Sequence, residues 1–277
     1  MRRRLIWCLR VALLVCLPVA SLQADPQRIV SLAPFLTDMV QLLGASDRLV
    51  GVLDDGQLPP ELAHVPRVGA YQTLSAESIV AQRPDLILAW TSGNPPELLQ
   101  RLRGWNIEVA EFDPQSLADI ASATQRLGEL LGQSAQAEQV LSRYRQQLQA
   151  LEPPDGQAPQ RVFIQLWDNP LYTVAGGQLV SDALRHCGAQ NVFAELPGLA
   201  PQVGREGVLA ANPDIIIALA DQAISAQPWL DDWRRFPELK AVASKRLYVL
   251  ASDQLVRPTP RVVEGVAKLC ALVSPQP

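Results

Sequence analysis

The sequence predicts an α/β protein of two related lobes tied by one long helix. Three observations carry this: a diverged internal repeat, apolar strand runs alternating with helical patterns, and a long amphipathic stretch between the halves that ends in a Pro-rich linker. The 277 residues are 48% hydrophobic and 19% charged, an ordinary globular composition with enough chain for two cores.

The chain opens on a leader. Arg2, Arg3 and Arg4 precede an apolar run at 11–20, too short to span a bilayer, and small residues at 21–24 offer a cleavage site after Ala24. Residues 1–24 are therefore expected to be a signal peptide, with a short N-terminal anchor as the alternative. Val15 ahead of Cys16 argues against a lipid-modified leader. The leader holds four of the 24 Lys+Arg and none of the 28 Asp+Glu, which leaves 20 against 28, net −8, for the mature chain. It also takes Cys8 and Cys16, leaving Cys187 and Cys270. In an oxidising compartment two remaining cysteines favour a disulfide over two free thiols.

The repeat sets the architecture. Residues 77–90 read ESIVAQRPDLILAW and residues 206–219 read EGVLAANPDIIIAL, an offset of 129. Glu77/Glu206, Ala81/Ala210, Pro84/Pro213 and Asp85/Asp214 fall in register. Each copy reads as helix, turn and strand. The Glu stands in the first turn, where the helix dipole favours a negative charge. The proline ends the helix, and the runs 86–90 and 215–219 suit strands buried on both faces of a parallel sheet. A further apolar strand stands upstream of each copy, at 28–32 (RIVSL) and 161–166 (RVFIQL), followed by helical patterns at 37–43 and 178–186. Strands alternating with helices mean α/β with right-handed crossovers.

Between the copies, 115–131 is amphipathic, with Leu117, Ile120, Ala121, Leu127 and Leu131 on one stripe. Gly132, Gln133 and Ser134 punctuate it, and Ser134 is a candidate cap. The next helix, 135–151, is about 26 Å long and runs into the linker EPPDGQAPQ at 152–160. The expected organisation is signal peptide 1–24, N-terminal lobe 25–131, bridging helix 132–152 and C-terminal lobe 153–277. A single helical tie predicts stiff lobes with small closure.

Composition and motifs exclude several functions. A net charge of −4 disfavours nucleic acid as a partner. The two His, His64 and His186, are far apart, so a His-rich metal site is not expected. The chain carries no Gly-x-Ser-x-Gly, Gly-x-x-x-x-Gly-Lys or Gly-x-Gly-x-x-Gly motif, so an exported α/β enzyme is the weaker alternative.

A resemblance sharpens the reading. RIVSLAP (28–34), the 77–94 segment ending in SGN, RVFIQ with Asn169-Pro170, CGAQNVF (187–193), PQVGREGVLA (201–210) and SD…R…PR (252–261) occur in an order and spacing that resemble the class III periplasmic binding proteins. These have two Rossmann-like lobes joined by a single long α-helix and deliver cobalamin, siderophores or haem to ABC importers. The chain is most similar to the cobalamin-binding branch. The resemblance implies a monomeric receptor in the periplasm without catalytic cofactor or bound metal, a corrinoid ligand in the cleft, and docking to a permease dimer through Glu77 and Glu206. It also implies a Cys187–Cys270 disulfide. A siderophore or haem receptor of the same fold is the runner-up.

Ligands of open α/β sheets lie beyond the carboxyl ends of the strands. The candidate ligand residues are Pro34, Phe35, Asp55, Tyr71, Gln72, Trp90, Trp167, Asn169 and the run Asp253, Gln254, Leu255, Val256 and Arg257. Aromatic walls with a few polar groups suit a broad, amide-fringed corrinoid. The chain departs from the cobalamin-type pattern at Asp55, where that pattern has Tyr, at Tyr71, where it has Trp, and in the non-aromatic middle of 253–257. Arg257 is open to two readings, a contact to a ligand acid or a pair with a neighbouring carboxylate. Trp105, Trp229 and Trp233 are assigned to packing or surface.

Overall fold

The structure is a computed structural model that describes residues 25–274 apart from 57, 155, 157, 221 and 222. The expected signal peptide lies outside the described residues. The first half runs β1 (Ile29–Ser31), α1 (Pro34–Leu42), β2 (Leu49–Val52), α2 (Ala76–Val80), β3 (Leu86–Trp90), α3 (Pro96–Gly104) and β4 (Glu108–Phe112). Two long helices follow, α4 (Leu117–Leu130) and α5 (Ser134–Gln149). The second half is β5 (Gln160–Gln165), α6 (Leu179–His186), β6 (Ala189–Asn191), α7 (Arg205–Ala211), β7 (Ile215–Ala220), α8 (Ala223–Trp233), α9 (Lys240–Ala243), β8 (Leu247–Ala251), α10 (Asp253–Val256) and α11 (Val263–Val273).

Each half is a four-stranded parallel sheet. The orders are β2-β1-β3-β4 and β6-β5-β7-β8, so the second sheet repeats the first with every strand number raised by four. In each sheet one central strand, β3 in the first and β7 in the second, is apolar throughout, as suits a doubly covered parallel strand. Leu86 and Leu88 face a cluster with Leu36, Met39 and Leu127, while Ile87 and Ala89 face one with Ile79, Leu99 and Leu102. In the second sheet Ile215 and Ile217 pack with Leu184, Val266 and Leu269, and Ile216 packs with Val208, Leu230 and Trp233.

The repeated Pro-Asp is a structural joint. Asp85 accepts hydrogen bonds from the backbone N–H groups of Gln27 and Arg28 at 2.9 and 3.0 Å, where β1 begins. Asp214 accepts from the Arg161 N–H at 2.9 Å, at the start of β5. The arginines answer. Arg28 donates to the carbonyls of Gln82 and Arg83, and Arg161 to that of Ala211, closing the ends of α2 and α7. Arg83 and Asn212, each just before the proline, take positive φ, a common way to end a helix.

The tie is α5, as expected, but α4 shares its work. Leu117 and Ile120 of α4 sit in the core of the second lobe, while Ala123 and Leu127 sit in the first. Likewise Ala137 of α5 belongs to the first core and Leu141 and Tyr144 to the second. Asp182 of α6 accepts from the Leu117 N–H at 2.8 Å, and Arg48 donates to the Leu131 carbonyl at 2.8 Å, so α4 is capped by opposite lobes at its two ends. The two helices touch at Gly128, where a Cβ would come within 2.4 Å of the Ala137 methyl. Tyr144 donates to the Leu117 carbonyl at 3.0 Å, and burial raises its hydroxyl pKa. Ser134 is not the cap; Gln133 precedes the helix and makes no side-chain cap.

Cys187, just after α6, is bonded to Cys270 of α11 across 83 residues of sequence. Among the described residues no helix is long and apolar enough to cross a membrane.

Candidate functional site

Between the lobes lies a cleft of about 480 Å³. It is built from strand carboxyl ends. Pro34 and Phe35 follow β1, Trp90 ends β3 and Ser92 follows it, Asp113 to Gln115 follow β4, Leu166 follows β5, and Leu255 to Pro258 follow β8. Val174, Leu179, Val180, Leu199 and Ala200 complete the second lobe's wall. The first lobe therefore offers aromatic rings, and the second offers mostly aliphatic surface.

Of the residues singled out in the sequence, Pro34, Phe35, Asp55, Tyr71, Trp90, Leu255, Val256 and Arg257 line the cleft together. Gln72, Trp167, Asn169 and Asp253 stand outside its lining. Trp167 is 56% exposed and stacks edge-on against Trp229 at 5.7 Å. Gln254 lies in α10, and its side chain is outside the described residues. Trp233 is core, donating to Gln165 at 2.8 Å. Trp105 is exposed at the end of α3.

The sequence reading did not pick out Asp113, Pro114, Gln115, Leu166, Val174, Gln178, Leu179, Val180, Leu199, Ala200 and Pro258. They carry no local motif; the sheet order brings them to the cleft.

Arg257 is the cation of the described lining, and it is already engaged. It reaches across the cleft to Asp38 and Asp55 of the first lobe, 3.2 Å from each carboxylate. The second sequence reading of Arg257, a pair with neighbouring acids, is the one the geometry adopts. Burial raises the pKa of Asp38 above its ordinary 3.8, and Arg257 opposes that shift. The Tyr71 hydroxyl is also raised, by burial and by the Asp55 charge, with Arg257 again opposing. It therefore stays a neutral phenol over the ordinary pH range.

Neither histidine reaches the cleft lining. His186 contacts the Leu148 carbonyl at 2.9 Å, and His64 is exposed. Among the described residues no group of three or more His, Cys, Asp or Glu is placed to hold a metal.

The two repeat glutamates stand outside the cleft lining, each on a helix of its own lobe. A helix between parallel strands runs antiparallel to them, so its N-terminus lies at the strands' carboxyl ends. Glu77 is the second residue of α2 and Glu206 the second of α7. Both are exposed, and Glu77 has Arg101 3.8 Å away.

The sequence profile of the periplasmic binding proteins matches residues 29–254. The chain is 34% identical to the vitamin B12-binding protein of Vibrio cholerae over 254 residues, 90% of this chain and 91% of that one. It is 32% identical to the vitamin B12-binding protein of Pectobacterium atrosepticum over 272 residues, 95% and 93% of the two chains. A crystal structure of the periplasmic vitamin B12 binding protein of Vibrio cholerae matches with a TM-score of 0.81 at 33% identity, covering 90% of this chain and 97% of that one. A periplasmic heme binding protein from Pseudomonas aeruginosa matches with a TM-score of 0.74 at 26% identity, covering 90% and 92%. With the profile matching most of its length and relatives above 30% identity covered almost end to end, the chain belongs to the periplasmic binding protein family.

Proposed function

We propose that this chain is an exported receptor that captures a corrinoid, cobalamin in the first place, between its lobes and hands it to an ABC importer. The observation that carries the choice of ligand is the charge of the cleft. Its described lining holds Asp55 and Asp113 against Arg257, and Arg257 is spent on Asp38 and Asp55. Such a cleft offers no free cation to a haem propionate or an anionic ferric siderophore. Its described lining also offers no imidazole, and one tyrosine, Tyr71. A corrinoid asks for less charge: apolar walls for its faces and hydrogen-bonding groups for its amide fringe. Phe35, Tyr71 and Trp90 with Ser92 and Gln115 supply these. The similarity to vitamin B12-binding proteins supports the same ligand.

Delivery rests on Glu77 and Glu206. One exposed carboxylate on each lobe, in the first turn of a helix, suits a permease dimer with a basic pocket in each half. Residues 1–24 serve export to the periplasm and are removed.

Calorimetric titration of cyanocobalamin into protein lacking residues 1–24 tests the ligand. One-to-one binding of submicromolar affinity is expected. No heat with cyanocobalamin, and binding of haem or a ferric hydroxamate instead, overturns the proposal.

A further inference from the structure

Trp90, which lines the cleft, is held by a network of neighbouring groups. It ends β3, and the chain then turns back sharply. The Gly93 and Asn94 N–H groups donate to the Trp90 carbonyl at 3.2 and 2.9 Å, and the Trp90 N–H donates to the Asn94 side chain at 2.7 Å. Asn94 is 3% exposed and donates to the Leu32 carbonyl at 3.0 Å, which fastens the turn to the end of β1. The indole folds over Gly93, where a Cβ would sit 1.9 Å from ring atom Cε3. Phe35 and Tyr71 meet the ring edge-on at 6.1 and 6.2 Å.

The remaining contact is polar and comes from the loop after β4. Asp113 Oδ1 accepts the Trp90 Nε1–H at 2.8 Å. Its other oxygen accepts from the Ser92 hydroxyl at 2.5 Å and from the Gln115 amide at 3.1 Å. One carboxylate thus takes three donors, all on residues that line the cleft. An indole N–H bound to a charged acceptor is a strong, directional contact, and it fixes rotation of the ring about its side-chain bonds.

We infer that Asp113 is a positioning residue, which sets the plane of Trp90 before any ligand arrives and so determines how tightly a flat guest is bound. A wall already oriented does not lose rotamer freedom on binding. The inference rests on the corrinoid reading for the identity of the guest, but not for the state of the ring.

The experiment combines two measurements on Asp113→Ala, Asp113→Asn, Trp90→Phe and the Asp113→Ala/Trp90→Phe pair. In ligand-free protein labelled with 15N-tryptophan, the indole signal missing from Trp90→Phe reports the ring. It is expected to move upfield and broaden in Asp113→Ala and to stay near its original position in Asp113→Asn, which keeps an acceptor. In cyanocobalamin titrations Asp113→Ala is expected to bind about tenfold more weakly, with Asp113→Asn restoring most of the loss. In the Trp90→Phe background the Asp113→Ala change is expected to have little further effect. An unmoved indole signal, or an undiminished loss of affinity in the Trp90→Phe background, overturns the inference, since Asp113 would then act on the ligand directly. If the unmutated protein binds no corrinoid, the ligand proposal fails while the indole signal still decides the positioning.

Discussion

Removing the Cys187–Cys270 bond is expected to weaken the whole molecule and not only the lobe that contains it. The bond closes a loop of 83 residues between the end of α6 and the middle of α11. In the chain-entropy account a loop of that length costs the unfolded state about 15 cal/mol/K, or about 4.5 kcal/mol at 25 °C. Both sulfurs lie in the core with Leu184, Val266 and Leu269, so replacement by alanine adds a smaller packing loss. Against a total stability of about 5–15 kcal/mol this is a large share. At about 2–4 °C per kcal/mol for a chain of this size, Tm should drop by about 9–18 °C. The distribution of the loss follows from α4 and α5, whose side chains enter both cores. A second lobe that unfolds withdraws their far ends and uncovers the first. Urea unfolding of Cys187→Ala/Cys270→Ala against the oxidised parent should therefore show one transition, seen alike by far-UV circular dichroism and tryptophan emission. Trp90 and Trp105 report the first lobe, and Trp167, Trp229 and Trp233 the second. A loss below about 1 kcal/mol would refute the loop-entropy argument. Two separated transitions, of which one keeps the parent's midpoint, would refute the shared core.

Two further outcomes follow from charges on the page. Asp38 has its folded pKa above the unfolded value of 3.8, so the folded state binds more protons in the window between them and stability falls as pH rises through it. The ionised group burdens the fold above that window, and the burden disappears below about pH 3.8. Asp38→Asn should thus be at least as stable as the parent at about pH 7, by urea midpoint, with any advantage shrinking as acid is added. A clear destabilisation at neutral pH would mean that the attraction of Arg257 outweighs the burial of Asp38. Glu77→Ala/Glu206→Ala should keep corrinoid affinity and lose uptake through the reconstituted importer. Each change removes at most the helix-end contribution of about 0.3–1 kcal/mol. Loss of ligand binding in that variant would place the carboxylates at the ligand and not at the permease.

Central strands were legible in the sequence because burial on both faces leaves a continuous apolar run. β3 lies where 86–90 predicted it, and β7 extends the expected 215–219 by one residue. Three of the outer strands carry less signal. β4, EVAEF, alternates polar and apolar residues, and β6 is only Ala-Gln-Asn. β2 contains a glycine. β8, LYVLA, was an apolar run available to the same reading. The cleft divides in the same way. Rings and the 255–257 segment stood out by residue type, whereas Asp113 is an ordinary loop acid until β4 is laid beside β3. The same holds for Asp85 and Asp214. Their register in the repeat was visible, but their bonds to Gln27, Arg28 and Arg161 join residues 53 to 58 apart, beyond any local pattern.

The duplication is preserved in the scaffold and lost along the cleft lining. Sheet order, the Pro-Asp joints, the arginines that close α2 and α7, and the two exposed glutamates all recur in both halves. At the strand ends the match stops. Trp90, which walls the cleft, corresponds in the repeat to Leu219, a core residue 2% exposed. The first lobe meets the cleft with Phe35, Tyr71 and Trp90, the second with Leu166, Val174, Leu179 and Leu255. On the docking proposal, a partner with two equivalent halves would meet like scaffolds and like glutamates. On the corrinoid proposal, a flat guest with two unlike faces meets unlike walls, aromatic in the first lobe and aliphatic in the second.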